Sequence, residues 1–183
     1  MASPGDFPSV DDAPYRLRPI ASSDIAAWYE YLSIPEVVEH TSWNLKSPED
    51  LKPLVDWYQS DAPSSAIRFA IQLRGGGPLI GTIGFHTIST LNRTAEIAYD
   101  LHPAHWGRGI ASDCCRAAVK WGIEQRGFVR IQATALDTNI ASVRVLEKAG
   151  FALEGKLRCY RIVRNQARDF WLYSFVMPIR VTY

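Results

Sequence analysis

The stretch His105-Trp106-Gly107-Arg108-Gly109-Ile110-Ala111-Ser112 joins an alternating apolar run, Thr94 to Leu101, to a run of helical spacing from Ile110 to about Gln125. Two glycines within three residues keep Cβ atoms out of the way of a ligand. The helix start behind them presents amide N–H groups with no intrahelical acceptor, together with the positive end of the helix dipole. The stretch reads as an anion-cradling strand-to-helix turn, with Arg108 as an added positive charge. It is not a Walker A loop, because the chain has no Gly-x-x-x-x-Gly-Lys-Ser/Thr. A dinucleotide fingerprint also fits poorly, since Ser112 takes the third small position and three antiparallel-looking strands come first.

Upstream, residues 66–73, 79–88 and 94–101 alternate with period two. They are separated by Gly75-Gly76-Gly77-Pro78 and Thr90-Leu91-Asn92-Arg93, which predicts an antiparallel meander. In its last strand Glu96, Ala98 and Asp100 share one face and Ile97, Tyr99 and Leu101 the other. Earlier still, Tyr15 to Ile20 reads as a strand. Ser22-Ser23-Asp24 opens a helix to about residue 33, and Ser47-Pro48-Glu49-Asp50 opens a second, displaced by Pro53. Between them Glu39 to Asn44 forms a polar and aromatic loop, either a surface connection or part of a binding wall.

Downstream, the helix after the glycine turn ends at Gly127, and Val129 to Leu136 is a further strand. Asp137-Thr138-Asn139 leads into a helix that ends at Ala149 with Gly150 in the C′ position. Two strands follow, Phe151 to Val163 and Arg168 to Met177, joined by the turn Arg164-Asn165-Gln166-Ala167. Strand, turn, helix and strand in succession form a β-α-β crossover, so the sheet is expected to be mixed.

The chain has 183 residues, 47% hydrophobic and 21% charged, with room for one domain. Residues 1–14, rich in proline and aspartate, read as a flexible leader, and 15–183 as the single domain. A formal charge of +1 implies no global attraction to nucleic acid or an anionic membrane. No stretch approaches the roughly 18 apolar residues of a membrane span, nor does the start resemble a secretory signal, so the expected location is cytoplasmic. Cys114, Cys115 and Cys159 suit neither a disulfide framework nor zinc spacing, and no metal is expected. Lys156, Arg158, Arg161, Arg164 and Arg168 make the last hairpin basic. It is either a solvated face or a surface for an acidic segment.

Trp106-Gly107-Arg108-Gly109-Ile110-Ala111 resembles the acyl-CoA pyrophosphate loop of the GNAT superfamily of N-acetyltransferases, whose pattern is Gln/Arg-x-x-Gly-x-Gly/Ala. Gly109 and Ala111 fill its last two places. Trp106 stands where Gln or Arg is usual, as in the branch of ribosomal-protein N-terminal (alanine/serine) acetyltransferases. The resemblance runs from Tyr15 to about Val176. It includes Ala95 to Pro103, the Asn139-x-x-Ser142 helix with its Glu147-Lys148-Ala149-Gly150-Phe151 ending, and the pairs Glu154-Gly155 and Arg168-Asp169. It implies an α/β fold of α+β character, with a mixed, mainly antiparallel sheet of about seven strands flanked by about four helices. It further implies transfer of an acetyl group from acetyl-CoA to a primary amine, by a monomer or homodimer. The acceptor is a protein N-terminal α-amine ahead of a small-molecule amine, antibiotic or amino-acid-like; a non-catalytic CoA-binding module is the other reading.

On this resemblance Trp106, Gly107, Arg108, Gly109, Ile110, Ala111, Asn139 and Ser142 hold the cofactor. Glu96 is the general base and Ser142 the proton donor to the leaving thiolate. Each has a plainer reading. Glu96 is equally a carboxylate paired with an arginine on the sheet, and Asn139 and Ser142 are equally a helix cap and its third residue. Tyr99 and Tyr173 read as packing residues. Trp28, Tyr31 and Trp43 either wall the acceptor site or join the core.

Overall fold

The computed structural model describes residues 7–60 and 65–177. Seven strands form one sheet: β1 (Tyr15–Pro19), β2 (Ile67–Leu73), β3 (Leu79–Ser89), β4 (Thr94–Leu101), β5 (Arg130–Leu136), β6 (Ala152–Val163) and β7 (Gln166–Val176). They lie side by side in the order β1-β2-β3-β4-β5-β7-β6. Every neighbouring pair is antiparallel except β4 with β5. That parallel pair follows from the crossover through the long helix α4 (Ile110–Arg126), which returns the chain to the same end of the sheet. The remaining helices are α1 (Ile25–Leu32), α2 (Pro35–Val38), α3 (Lys52–Tyr58) and α5 (Ile140–Lys148). The α2 turn was not expected from the sequence, although Pro35 stands at its first position, where a missing N–H costs nothing.

Alternation divides the sheet into two unlike faces. Leu17, Phe69, Ile71, Ile83, Phe85 and Ile97 pack with Cys114, Cys115, Ala118 and Trp121 of α4, and with Leu146 and Phe151 at the end of α5. Burial pushes both Cys114 and Cys115 thiols up to about 12, so they are inert packing groups. The opposite face carries α1 and α3 through Trp28, Tyr31, Leu51 and Val55. Of the expected leader, residues 1–6 lie outside the described residues. Phe7, Val10 and Ala13 pack against the core, and the Arg74 guanidinium donates to the carbonyls of Ala13 (2.8 Å) and Val10 (3.0 Å).

Two local predictions sharpen. Gly150 takes φ +88°, the Gly150 N–H donates to the Glu147 carbonyl and the Phe151 N–H to that of Leu146, completing a Schellman ending. The turn between β6 and β7 is shorter than expected. Arg164 and Asn165 form it alone, both at positive φ, and Gln166 already pairs with Val163.

The feature that positions the site is an interruption. β4 and β5 pair at only three positions, Thr94↔Arg130, Ala95↔Ile131 and Glu96↔Gln132, although both strands run on. Beyond Glu96 they part, and a cleft opens through the sheet. Among the described residues no helix is long and apolar enough to cross a membrane.

Candidate active site

The glycine turn stands at the mouth of the cleft, on the α4 face. Gly107 and Gly109 hold φ of +73° and +80°, and a Cβ built on either meets no atom within 4 Å. The space above the turn is thus open, and what demands glycine there is backbone conformation. The N–H groups of the first α4 turn face that space without intrahelical partners. The Trp106 indole Nε1 donates to the Leu101 carbonyl (2.7 Å), tying the turn to the end of β4, while nearly half of the residue is exposed. Arg108 lines a groove of about 850 Å³ with His105, Arg116 and Lys120 on one side and residues 9–14 on the other.

The second helix start at the cleft belongs to α5. Asn139 caps it, its Oδ1 accepting the Ser142 backbone N–H at 3.0 Å. The Ser142 side chain is free of that duty. Its Oγ lies 2.8 Å from the Tyr99 hydroxyl, which also donates to the Ser142 carbonyl (3.1 Å). Tyr99 projects from β4, so this pair joins the two walls of the cleft. Burial first, then the neighbouring Cys115, hold the Tyr99 phenol protonated far above its ordinary range. The sequence reading of Tyr99 as packing missed this contact, because nothing local places residue 99 beside residue 142.

Glu96 lies on the opposite face, where the strands begin to part. Only 4% exposed, its carboxylate is divided unequally. Oε1 accepts from Thr134 Oγ1 (2.8 Å) and from Arg161 Nη2 (3.2 Å), while among the described residues Oε2 has only the Gln132 amide at 3.5 Å. His86 stands opposite Glu96 on β3, and burial, partly offset by Glu96, pushes its pKa below the ordinary value. Glu96 is thus paired with an arginine, as its plainer reading had it, and it stands at the last pairing before β4 and β5 part.

Further along the same face of β4, Asp100 is the centre of a network that the sequence did not reveal. Its Oδ2 accepts from Arg68 Nη2 (2.5 Å) and Thr82 Oγ1 (2.8 Å), and its Oδ1 from Trp28 Nε1 (3.3 Å) and the Tyr31 hydroxyl. Arg68 also donates to Thr82 Oγ1 and the Ala98 carbonyl and lies over the Trp28 ring. Trp28 and Tyr31 are fully buried, so they belong to the frame of the site and not to its open wall; Trp43 packs edge-on against Trp28. The available signal was Arg68 and Asp100 at polar-face positions of alternating strands, without any sign of their register.

The basic hairpin is largely neutralised by acids, most of them on other elements. Lys156 pairs with Asp137 and Asp169, Arg168 with Asp137, and Arg161 with Glu96. Arg164, at the turn, donates to the carbonyls of Trp43 (2.7 Å) and Val38 (2.8 Å), fastening the hairpin tip to the loop after α2. Tyr173 likewise finds a partner, donating to Glu147 at 3.3 Å. Among the described residues no three His, Cys, Asp or Glu side chains stand together as a metal site.

Known proteins are similar to this chain in sequence and fold. Residues 15–152 match the family model described as "Acetyltransferase (GNAT) domain". An uncharacterized N-acetyltransferase of Bacillus subtilis, YoaA, is 35% identical over 94% of this chain and 98% of its own. A ribosomal-protein-serine acetyltransferase of Escherichia coli is 33% identical over 54% of this chain and 55% of its own. A solved GNAT acetyltransferase of Bacillus anthracis superposes with a TM-score of 0.79 at 27% identity, covering 91% of this chain and 97% of that one. With an open glycine turn, two helix starts at a parted pair of strands and these matches together, the chain belongs to the GNAT family and is an N-acetyltransferase.

Proposed function

We propose that this enzyme transfers the acetyl group of acetyl-CoA to a primary amine, with a protein N-terminal α-amine as the first acceptor, by direct attack on the thioester. The observation that carries the reading is the parting of β4 and β5 directly after Glu96↔Gln132. It leaves the starts of α4 and α5 on one face and Glu96 on the other, with an opening between them. Acetyl-CoA supplies the activated acetyl group. The backbone amides of Gly107, Arg108, Gly109, Ile110 and Ala111, with the Arg108 guanidinium, suit its pyrophosphate, and Trp106 holds that turn in place. Asn139 spends its oxygen on the cap and keeps its amino group to donate along the pantetheine arm.

The acceptor enters from the Glu96 side. An α-amine titrates near about 7.7–8.0 and a lysine near about 10.4, so the α-amine asks far less of a base. Glu96 Oε2, the less occupied oxygen, takes the amine proton directly or through one water. As the N–C bond forms and the C–S bond breaks, the Ser142 hydroxyl, its oxygen held by Tyr99, gives its proton to the sulfur; solvent then returns a proton to Ser142 and removes the one taken by Glu96, leaving the amide and the CoA thiol.

Thiol release from acetyl-CoA in the presence of a short peptide with a free N-terminus tests this. Glu96→Gln is expected to lower kcat by about 10²–10⁴-fold with acetyl-CoA affinity retained, and Gly109→Arg to lose acetyl-CoA binding. Ser142→Ala is informative because the cap bond uses the backbone N–H, which alanine keeps. A fall in kcat there reports on the hydroxyl alone. A wild-type rate in Glu96→Gln removes Glu96 as base, and undiminished affinity in Gly109→Arg removes the phosphate assignment.

A further inference from the structure

Both acids on the acceptor face of β4 already hold an arginine: Asp100 holds Arg68 and Glu96 holds Arg161. The two arginines are unlike. Arg68 is buried, with its donors distributed over Thr82, Asp100 and the Ala98 carbonyl. Arg161 makes one bond to Glu96, and its side chain is 36% exposed. Its guanidinium lies against the rings of Tyr160 and Phe170, at 5.0 and 5.7 Å.

Arg161 is aimed by a distortion. Leu157 pairs with Phe170 and Arg161 with Arg168, so residues 158–160 of β6 stand against Asp169 alone. Cys159 takes φ +49° within this bulge, and its N–H donates to Asp169 Oδ1 at 2.9 Å. Bulges re-aim side chains next to active sites, and a non-glycine residue at positive φ persists only where its surroundings hold it. Here the strained segment turns Arg161 inward to the candidate base.

We propose that Arg161 is the specificity-determining residue of the acceptor site, selecting an amine that carries a carboxylate close to the reacting nitrogen and rejecting polycationic amines. The inference rests on the acetyl-transfer reading above. A second ammonium of a polyamine finds no uncompensated carboxylate on this face of β4, and it meets the Arg161 charge instead. An amine with a nearby carboxylate exchanges partners: its carboxylate takes the guanidinium, and its ammonium takes Glu96. One ion pair within the protein gives way to two with the acceptor, and Oε1 is freed of its arginine only when the right acceptor arrives. The carboxylate belongs either to a free α-amino acid or to an acidic first residue of a peptide.

The test is acetylation of alanine against alaninamide, of an Asp-initiated peptide amide against its Asn-initiated analogue, and of spermidine. The wild-type enzyme is expected to favour the carboxylate member of one pair by about ten- to hundred-fold in kcat/KM, the worth of one charge-assisted hydrogen bond. The pair that shows the preference identifies the source, and spermidine is expected to be the poorest acceptor. In Arg161→Gln that ratio collapses toward one through KM, and Arg161→Lys restores part of it. An unchanged ratio in Arg161→Gln, or a wild-type preference for the amides or for spermidine, overturns the assignment of Arg161. Failure to acetylate any of the five overturns the acetyl-transfer reading itself.

Discussion

Glu96 and Asp100 sit four residues apart on one face of one strand, and each is paired with an arginine, yet their surroundings differ and, in the proposed function, so does their work. Asp100 is closed on all sides by Arg68, Thr82, Trp28 and Tyr31, and both members of its ion pair are 7% exposed. Glu96 is as deeply buried, at 5% for its side chain, but its arginine is 36% exposed and one of its oxygens is nearly unoccupied. Burial of the two acids does not tell them apart; the exposure of their counter-ions does. A third pair extends the series outward. Glu154 accepts both Nη groups of Arg130 (2.6 and 2.7 Å) and the Ser174 hydroxyl (2.6 Å), with both ionic side chains about a third exposed.

The three depths predict three sizes of stability loss in denaturant titrations. Asp100→Ala is expected to cost about 3–5 kcal/mol, because it strands the Arg68 charge in the interior. The double variant Arg68→Met/Asp100→Leu is expected to recover part of that loss. Glu96→Gln, which keeps the Thr134 bond and loses an ion pair with a partly exposed partner, is expected to cost about 1 kcal/mol alongside the large fall in turnover expected above. Equal costs for Asp100→Ala and Glu96→Gln would erase the contrast and return Glu96 to the frame.

Glu154→Gln is expected to have the smallest effect, about 0.2–1 kcal/mol after screening by solvent, and it carries a pH signature. The Arg130 hydrogen bonds first, then that from Ser174, hold Glu154 down at about 2 from its ordinary 4.5. A carboxylate depressed in the folded state stabilises above its unfolded value and loses that contribution as pH falls through the folded one. The wild-type advantage over Glu154→Gln should therefore be complete above about pH 5 and vanish toward about pH 2. A difference that persists at the acid end would show that packing, not charge, holds β6 to the sheet there.

Much of the molecule was legible along the chain. Period-two runs marked the strands, Gly107 and Gly109 the turn before α4, Asn139 and Gly150 the ends of α5, and alternation put Glu96 on a polar face, all from local backbone and side-chain geometry. The rest was decided by residues far apart in sequence. Asp100 meets Arg68 across 32 positions, Glu96 meets Arg161 across 65, and Arg164 reaches the Val38 carbonyl across 126. The basic hairpin illustrates the gap: as sequence it is a cluster of positive charge, and in the fold its charges meet acids and carbonyls brought in by other elements.

The sequence by itself determined the order of strands and helices, the glycine turn and the polar face of β4, because periodicity, capping and positive φ are properties of near neighbours. Only the tertiary structure decided where β4 and β5 part, which arginine serves which acid, and that the Ser142 hydroxyl is free of the cap. Those depend on strand register and on a bulge near the chain's end, where a shift of one residue would turn every one of these side chains to the other face.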